Sequence, residues 1–136
     1  MAYWLVKSEP GTWSWDQHAA AGADAWTGVR NHQAKIFLNT MTAGDRALFY
    51  HSGEAREVVG VTEVVKAAYS DPTDTTGKFV CVDLKAVEPL KRPVSLTEIK
   101  AEPALSEMVL VKNSRLSVQP VTAAEFKRVL AMGGLG

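Results

Sequence analysis

The run Val58-Val59-Gly60-Val61-Thr62-Glu63-Val64-Val65 constrains the fold more than any other stretch of the chain. Its Val and Thr side chains branch at Cβ, which favours the pleated surface of a strand over a helix. Gly60 within it marks a bulge or a close approach by another backbone. A second strand follows at Phe79 to Val87, where Val80, Val82, Leu84 and Ala86 alternate with Cys81, Asp83 and Lys85. Only the polar turn Ser70-Asp71-Pro72-Thr73-Asp74-Thr75-Thr76-Gly77 separates the two, so they pair as neighbours.

Shorter strand signals lie on either side. Tyr3-Trp4-Leu5-Val6 is stopped by Pro10 and Gly11, Arg46 to His51 is too short and too continuously apolar for a surface helix, and Leu116 to Gln119 ends at Pro120. Helix starts are marked chemically. Ser14 with Gln17, Ser95 with Glu98 and Thr122 with Glu125 each have capping-box spacing. Gly22, Glu102-Pro103 and Gly133-Gly134 stop the three helices. Asn31 can cap a fourth, whose Ala34, Phe37, Leu38 and Met41 share one face before Gly44-Asp45. These strands and helices interleave without regular βαβ spacing. We expect one α+β domain over residues 1–136, built on a curved, mostly antiparallel sheet or small barrel.

Composition narrows the function. With 136 residues, 46% hydrophobic and 22% charged, the chain can bury roughly two thirds of its unfolded surface and fold unaided. No apolar run approaches the roughly 18 residues of a membrane span, and the N-terminus has no basic segment leading an apolar one. A soluble, cytoplasmic protein without a membrane partner is the expectation. The lone cysteine, Cys81, can form no intramolecular disulfide or thiolate zinc cluster and reads as a packing residue. A formal net charge of zero argues against coating nucleic acid by charge alone, yet leaves room for a pocket that captures one base.

Catalytic signatures are sparse. There is no phosphate-binding glycine loop, and His18, His32 and His51 do not share metal-ligand spacing, so neither metal nor cofactor is expected. His51 and Ser52 are adjacent on a strand and point to opposite faces unless the turn intervenes.

Trp26-Thr27-Gly28-Val29-Arg30-Asn31 instead puts an indole, a guanidinium and an amide at one helix start. These groups suit a flat polar ring, with Trp26 to stack and Arg30 and Asn31 to hydrogen-bond, although Trp26 also reads as a core indole and Asn31 as a plain cap. Lys7, Ser8 and Glu9 end the first strand, either as a surface ion pair or as the lip of a cleft. Tyr50-His51-Ser52 is more polar than a strand end needs, and Lys112-Asn113-Ser114-Arg115 is a cationic loop suited to phosphates or simply to solvent.

Together these segments resemble the EVE domain family, of the PUA-like superfamily that also holds the YTH domains. The resemblance rests on Tyr3 to Pro10, Trp26 to Ala34, Leu48 to Ser52, Ala68 to Thr73, Lys91 to Leu96 and Ser114 to Val121, in family order. It implies a small curved β-barrel flanked by short helices. It further implies a pocket for a modified base, methylated or hydroxymethylated cytosine in DNA or a modified base in RNA. Carried over by motif, the ligand-binding residues are Lys7, Ser8 and Glu9, then Trp26, Arg30 and Asn31, then Tyr50, His51 and Ser52, and last Arg115, Leu116 and Ser117. The same pocket could serve a metabolite or a peptide, or an enzyme acting on a modified base with Glu9 or His51 as acid or base.

Overall fold

The computed structural model describes residues 1–135; Gly136 lies outside the described residues. In chain order come β1 (Tyr3–Ser8), α1 (Trp15–Ala21), β2 (Ala23–Ala25), α2 (His32–Thr40), β3 (Arg46–His51), β4 (Glu57–Ser70), β5 (Val80–Ser95), α3 (Leu96–Ala101), a 3-10 turn (Pro103–Leu105), α4 (Val109–Lys112), β6 (Val118–Val121) and α5 (Ala123–Met132). The strands form one sheet in the order β2-β5-β4-β3-β1-β6. Only β1 and β3 run parallel; the other neighbours are antiparallel.

This is the expected α+β architecture, with one correction. The barrel implied by the family resemblance is not closed, because no ladder joins β2 to β6. Those edge strands have three and four residues, too few to complete a ring. Pro120 sits inside β6 rather than ending it, and an outer strand tolerates the missing N–H.

Strand alternation builds a core on each face of the sheet. Trp4, Val6, Ala47, Phe49 and Val64 point to one side, where Trp15 and His18 of α1 and Ala34 and Leu38 of α2 cover them. Leu5, Leu48, Val58 and Val61 point to the other, under Ile99 of α3, Leu110 of α4 and Phe126 and Val129 of α5. All three capping boxes form with both reciprocal bonds, and Asn31 Oδ1 accepts from the Ala34 N–H at 3.0 Å. Cys81 is buried and unpaired. None of the helices among the described residues is long and apolar enough to cross a membrane.

Three differences from the sequence expectation shape the site. β1 continues through Lys7 and Ser8, which stay in register with Tyr50 and His51 of β3. β4 and β5 run well past Val65 and Val87 and pair with several register shifts, the outer end of β4 against residues 80–83 and the outer end of β5 against residues 57–61. At Gly60 both expectations hold in modified form. The ladder shifts register there, and what comes close is the Trp15 ring rather than a backbone.

Candidate functional site

A cavity of 630 Å³ opens where β1 ends, within the roughly 300–1,000 Å³ usual for ligand sites. Its walls are Lys7, Ser8 and Glu9, the loop residues Thr12 and Trp13, the stretch from Asp24 to Asn31, and Ser117.

Each wall has a local cause. The Glu9 carbonyl accepts from the N–H groups of Thr12 (2.9 Å) and Trp13 (2.8 Å), and the Ser8 hydroxyl donates to the Trp13 carbonyl. This turn folds the half-buried Trp13 over the strand end. The Lys7 N–H donates to the Ser117 carbonyl at 3.0 Å, bringing the approach to β6 alongside. Beyond β2, the Trp26 N–H donates to the Val82 carbonyl at 2.8 Å and extends the pairing with β5 by one bond.

Trp26 is both of the things the sequence allowed. At 9% exposure it is mainly a core indole, edge-on to Phe49 (5.6 Å) and His18 (5.9 Å). Yet its Nε1–H has no acceptor among the described residues and is not one of the buried unpaired atoms, so that edge opens into the cavity. Trp26 is therefore a wall of the cavity, and the more open indole is Trp13.

Asp71 fixes the next segment from 41 residues away. Its carboxylate accepts from the Gly28 N–H (2.8 Å), Arg30 Nη1 (3.0 Å), the Thr73 N–H (2.7 Å) and the Thr73 hydroxyl (2.6 Å). Burial pushes the carboxyl up, but the bonds from Thr73, Gly28 and Arg30 outweigh it and hold the group at about 2. Gly28 takes φ +87°, a conformation cheap only for glycine. Arg30 is pinned at both ends of its fork, with Nη2 donating to Thr73 Oγ1 at 2.9 Å. Asn31 spends its oxygen on the cap and keeps its amide N–H groups for the cavity it lines.

Of the residues singled out from sequence, Lys7, Ser8, Glu9, Trp26, Arg30, Asn31 and Ser117 are brought together here. Tyr50 and Ser52 line a smaller cavity of 270 Å³ that shares Lys7 with the first. His51, Arg115 and Leu116 line neither. His51 Nε2 accepts the Trp15 N–H at 3.0 Å at the start of α1, Leu116 is 6% exposed in the core, and Arg115 is exposed on the surface. Lys7 forms no ion pair with Glu9; its ammonium donates to the Ser114 carbonyl and lies 5.6 Å from the centre of the Tyr50 ring. Sequence reasoning missed Trp13 and Asp71. An aromatic just after the Pro10-Gly11 break was the available signal for the first; for the second it was the Ala68 to Thr73 segment of the family resemblance, from which no site residue was taken.

One open sheet between two helical layers, with an indole-walled cavity at the end of its parallel pair, defines the class: an α+β domain with a cavity at the strand end. The EVE domain family matches residues 2–132, and the chain belongs to it. A Rhodopseudomonas palustris protein solved by NMR is 62% identical, with a TM-score of 0.94 over 99% of this chain and 94% of that one. Human thymocyte nuclear protein 1 is 33% identical over 96% of this chain and 73% of its own length. Its crystal structure in complex with 5-methylcytosine-containing DNA superposes with a TM-score of 0.89, covering 98% of each chain. A YTH domain from Zygosaccharomyces rouxii, at 19% identity and a TM-score of 0.60 over 97% of this chain and 86% of that one, shares the fold.

Proposed function

We propose that this chain binds nucleic acid by taking one modified base, methylated or hydroxymethylated cytosine foremost, into the 630 Å³ cavity. The observation that carries this is the pairing of a half-open indole, Trp13, with the Trp26 edge beside the free amide of Asn31, in a domain a third identical to a relative seen with 5-methylcytosine DNA. A base drawn out of its stack would lie against Trp13 and present its polar edge to Trp26 Nε1–H, Asn31 and the Ser8 to Glu9 strand end. Arg30 then acts mainly as a brace for the Gly28 turn, since Asp71 and Thr73 hold its guanidinium.

Binding rather than turnover fits these groups. His51 lines neither cavity and its Nε2 is already an acceptor for the Trp15 N–H, which leaves Glu9 without an imidazole partner for acid–base chemistry. A cytoplasmic location belongs to the same proposal.

The test is titration of matched short oligonucleotides carrying cytosine, 5-methylcytosine, 5-hydroxymethylcytosine or N6-methyladenine. A modified base should bind tighter than its unmodified match. Trp13→Ala should weaken that binding by about 1–3 kcal/mol, the range of one base stack. Equal weak binding to every oligonucleotide overturns the reading. Binding that ignores ionic strength would instead mark a metabolite or peptide site.

A further inference from the structure

Across Lys7 from the main cavity lies the second one, of 270 Å³, and its chemistry is different. Lys7, Arg56 and Lys100 line it, with the hydroxyl-bearing Tyr50, Ser52 and Ser114, and no carboxylate does. Among the described residues none of these three cations is in an ion pair. Glu54 stands in a separate depression on the far side of Arg56 and Lys100.

Tyr50 adds a second observation to the charge. The residue is 3% exposed, yet its hydroxyl has no hydrogen-bond partner among the described residues and is not one of the closed-off unpaired atoms. The hydroxyl therefore opens into this cavity, the one Tyr50 lines. No other group of the protein engages it, so it is free to donate to an acceptor held beside the cations. Arg56 is held in place at φ +45°, the one non-glycine residue at positive φ among the described residues, while its carbonyl accepts from the Leu96 N–H at 2.9 Å.

We propose that this second cavity binds a phosphoryl oxyanion, with Tyr50 and Ser52 donating from the floor and Lys7, Arg56 and Lys100 supplying the charge. The assignment deepens the base-binding reading and rests on it for the source of the ligand. Because Lys7 belongs to both cavities, a phosphodiester flanking the captured nucleotide reaches the second one. A free phosphate compound has the same oxyanion chemistry, so the two sources must be separated by experiment.

Arg56→Gly with Lys100→Ala is the informative variant. Both side chains are exposed and glycine suits the positive φ, so the fold is kept. In the first arm, inorganic phosphate alone is titrated into labelled protein and the Tyr50 and Lys7 signals are followed by NMR. In the second, affinity for a single-stranded oligonucleotide with one modified base is measured against salt concentration. If the site takes a strand phosphate, the double variant flattens the slope of log affinity on log salt by about 1.4, at about 0.7 per lost contact. Modified and unmodified strands should weaken by the same factor. Phosphate-induced shifts with an unchanged slope would assign the cavity to a small phosphate compound and overturn the strand source. No shifts and no slope change would overturn the proposal. A flattened slope in a protein that ignores base modification would sink the base reading and leave this one standing.

Discussion

The Asp71 carboxylate binds the Arg30 guanidinium at 3.0 Å with the same oxygen that accepts the Gly28 N–H at 2.8 Å. One buried oxygen therefore sets both the turn that leads away from Trp26 and the side chain that braces it. Because its other oxygen is filled by Thr73, the carboxylate has no slack. The shape of that cavity wall depends on Asp71 staying ionised.

That dependence gives a pH prediction. Asp71 ionises at about 2 in the folded chain against an ordinary 3.8, so its folded value is depressed. A depressed carboxyl contributes stability that is complete above its unfolded value, near 4, and lost as pH falls through about 2. At 1.36 kcal/mol per pH unit the contribution is about 2 kcal/mol. The stability gap between wild type and Asp71→Asn should therefore shrink by about 2 kcal/mol between pH 5 and pH 2. Chemical denaturation at several pH values measures it, and a gap that stays constant shows that Asp71 contributes no ionised-state stability.

A second prediction concerns Gly60, where an added Cβ would lie 2.5 Å from Cζ3 of Trp15. The indole cannot retreat, since it packs edge-on to Phe49 at 5.3 Å and beside His18 at 5.8 Å. Gly60→Ala should cost roughly 1–3 kcal/mol by overpacking. The penalty should largely vanish when Trp15→Leu is present, because the two changes share one contact. Thermal melts of the two single variants and the double variant test this; additive losses would place the strain elsewhere.

What was legible in the sequence follows from how local each feature is. Capping boxes and the cores of β1, β3, β4 and β5 are set by residues within a turn or a period of one another, so pattern alone finds them. The Ala23–Ala25 strand has no β signal of its own and exists because β5 offers it an edge. The outer ends of β4 and β5 are largely exposed and carry no clear alternation of their own; each is a strand because it pairs with the inner part of the other. In the site, contiguous motifs led to Lys7 through Glu9 and to Trp26 through Asn31. The same habit misled at Tyr50-His51-Ser52, because alternation turns His51 toward Phe49 and α1 while Tyr50 faces the other core. Arg115-Leu116-Ser117 divides in the same way, with Leu116 in the core and Ser117 at the cavity. Asp71 sits in a segment of the family resemblance, yet its role could not be read there because the cavity-wall groups it holds, Gly28 and Arg30, lie more than forty positions away.

The last prediction follows from His18, which is fully buried, stacked on Phe49 at 5.0 Å and edge-on to Trp26. The Thr62 hydroxyl donates to the Lys85 carbonyl at 2.9 Å, so its oxygen must accept from His18 Nε2–H, also at 2.9 Å. Nδ1 is then a bare lone pair without a partner among the described residues. Nitrogen-15 NMR should find the Nε2–H tautomer; an Nδ1–H signal would reverse the bond to Thr62. Burial lowers the His18 pKa below its ordinary 6.5, opposed by the Asp24 charge. The unfolded chain takes the proton first, so the stability His18 contributes is complete above about pH 6.5 and declines as pH falls below it. His51 shifts in the same direction, also through burial, so the variant His18→Gln is needed to isolate this group. The stability gap between wild type and variant should narrow on acidification from pH 7.5 to 5.5. A gap that ignores pH in this range would show that folding does not lower the proton affinity of this imidazole.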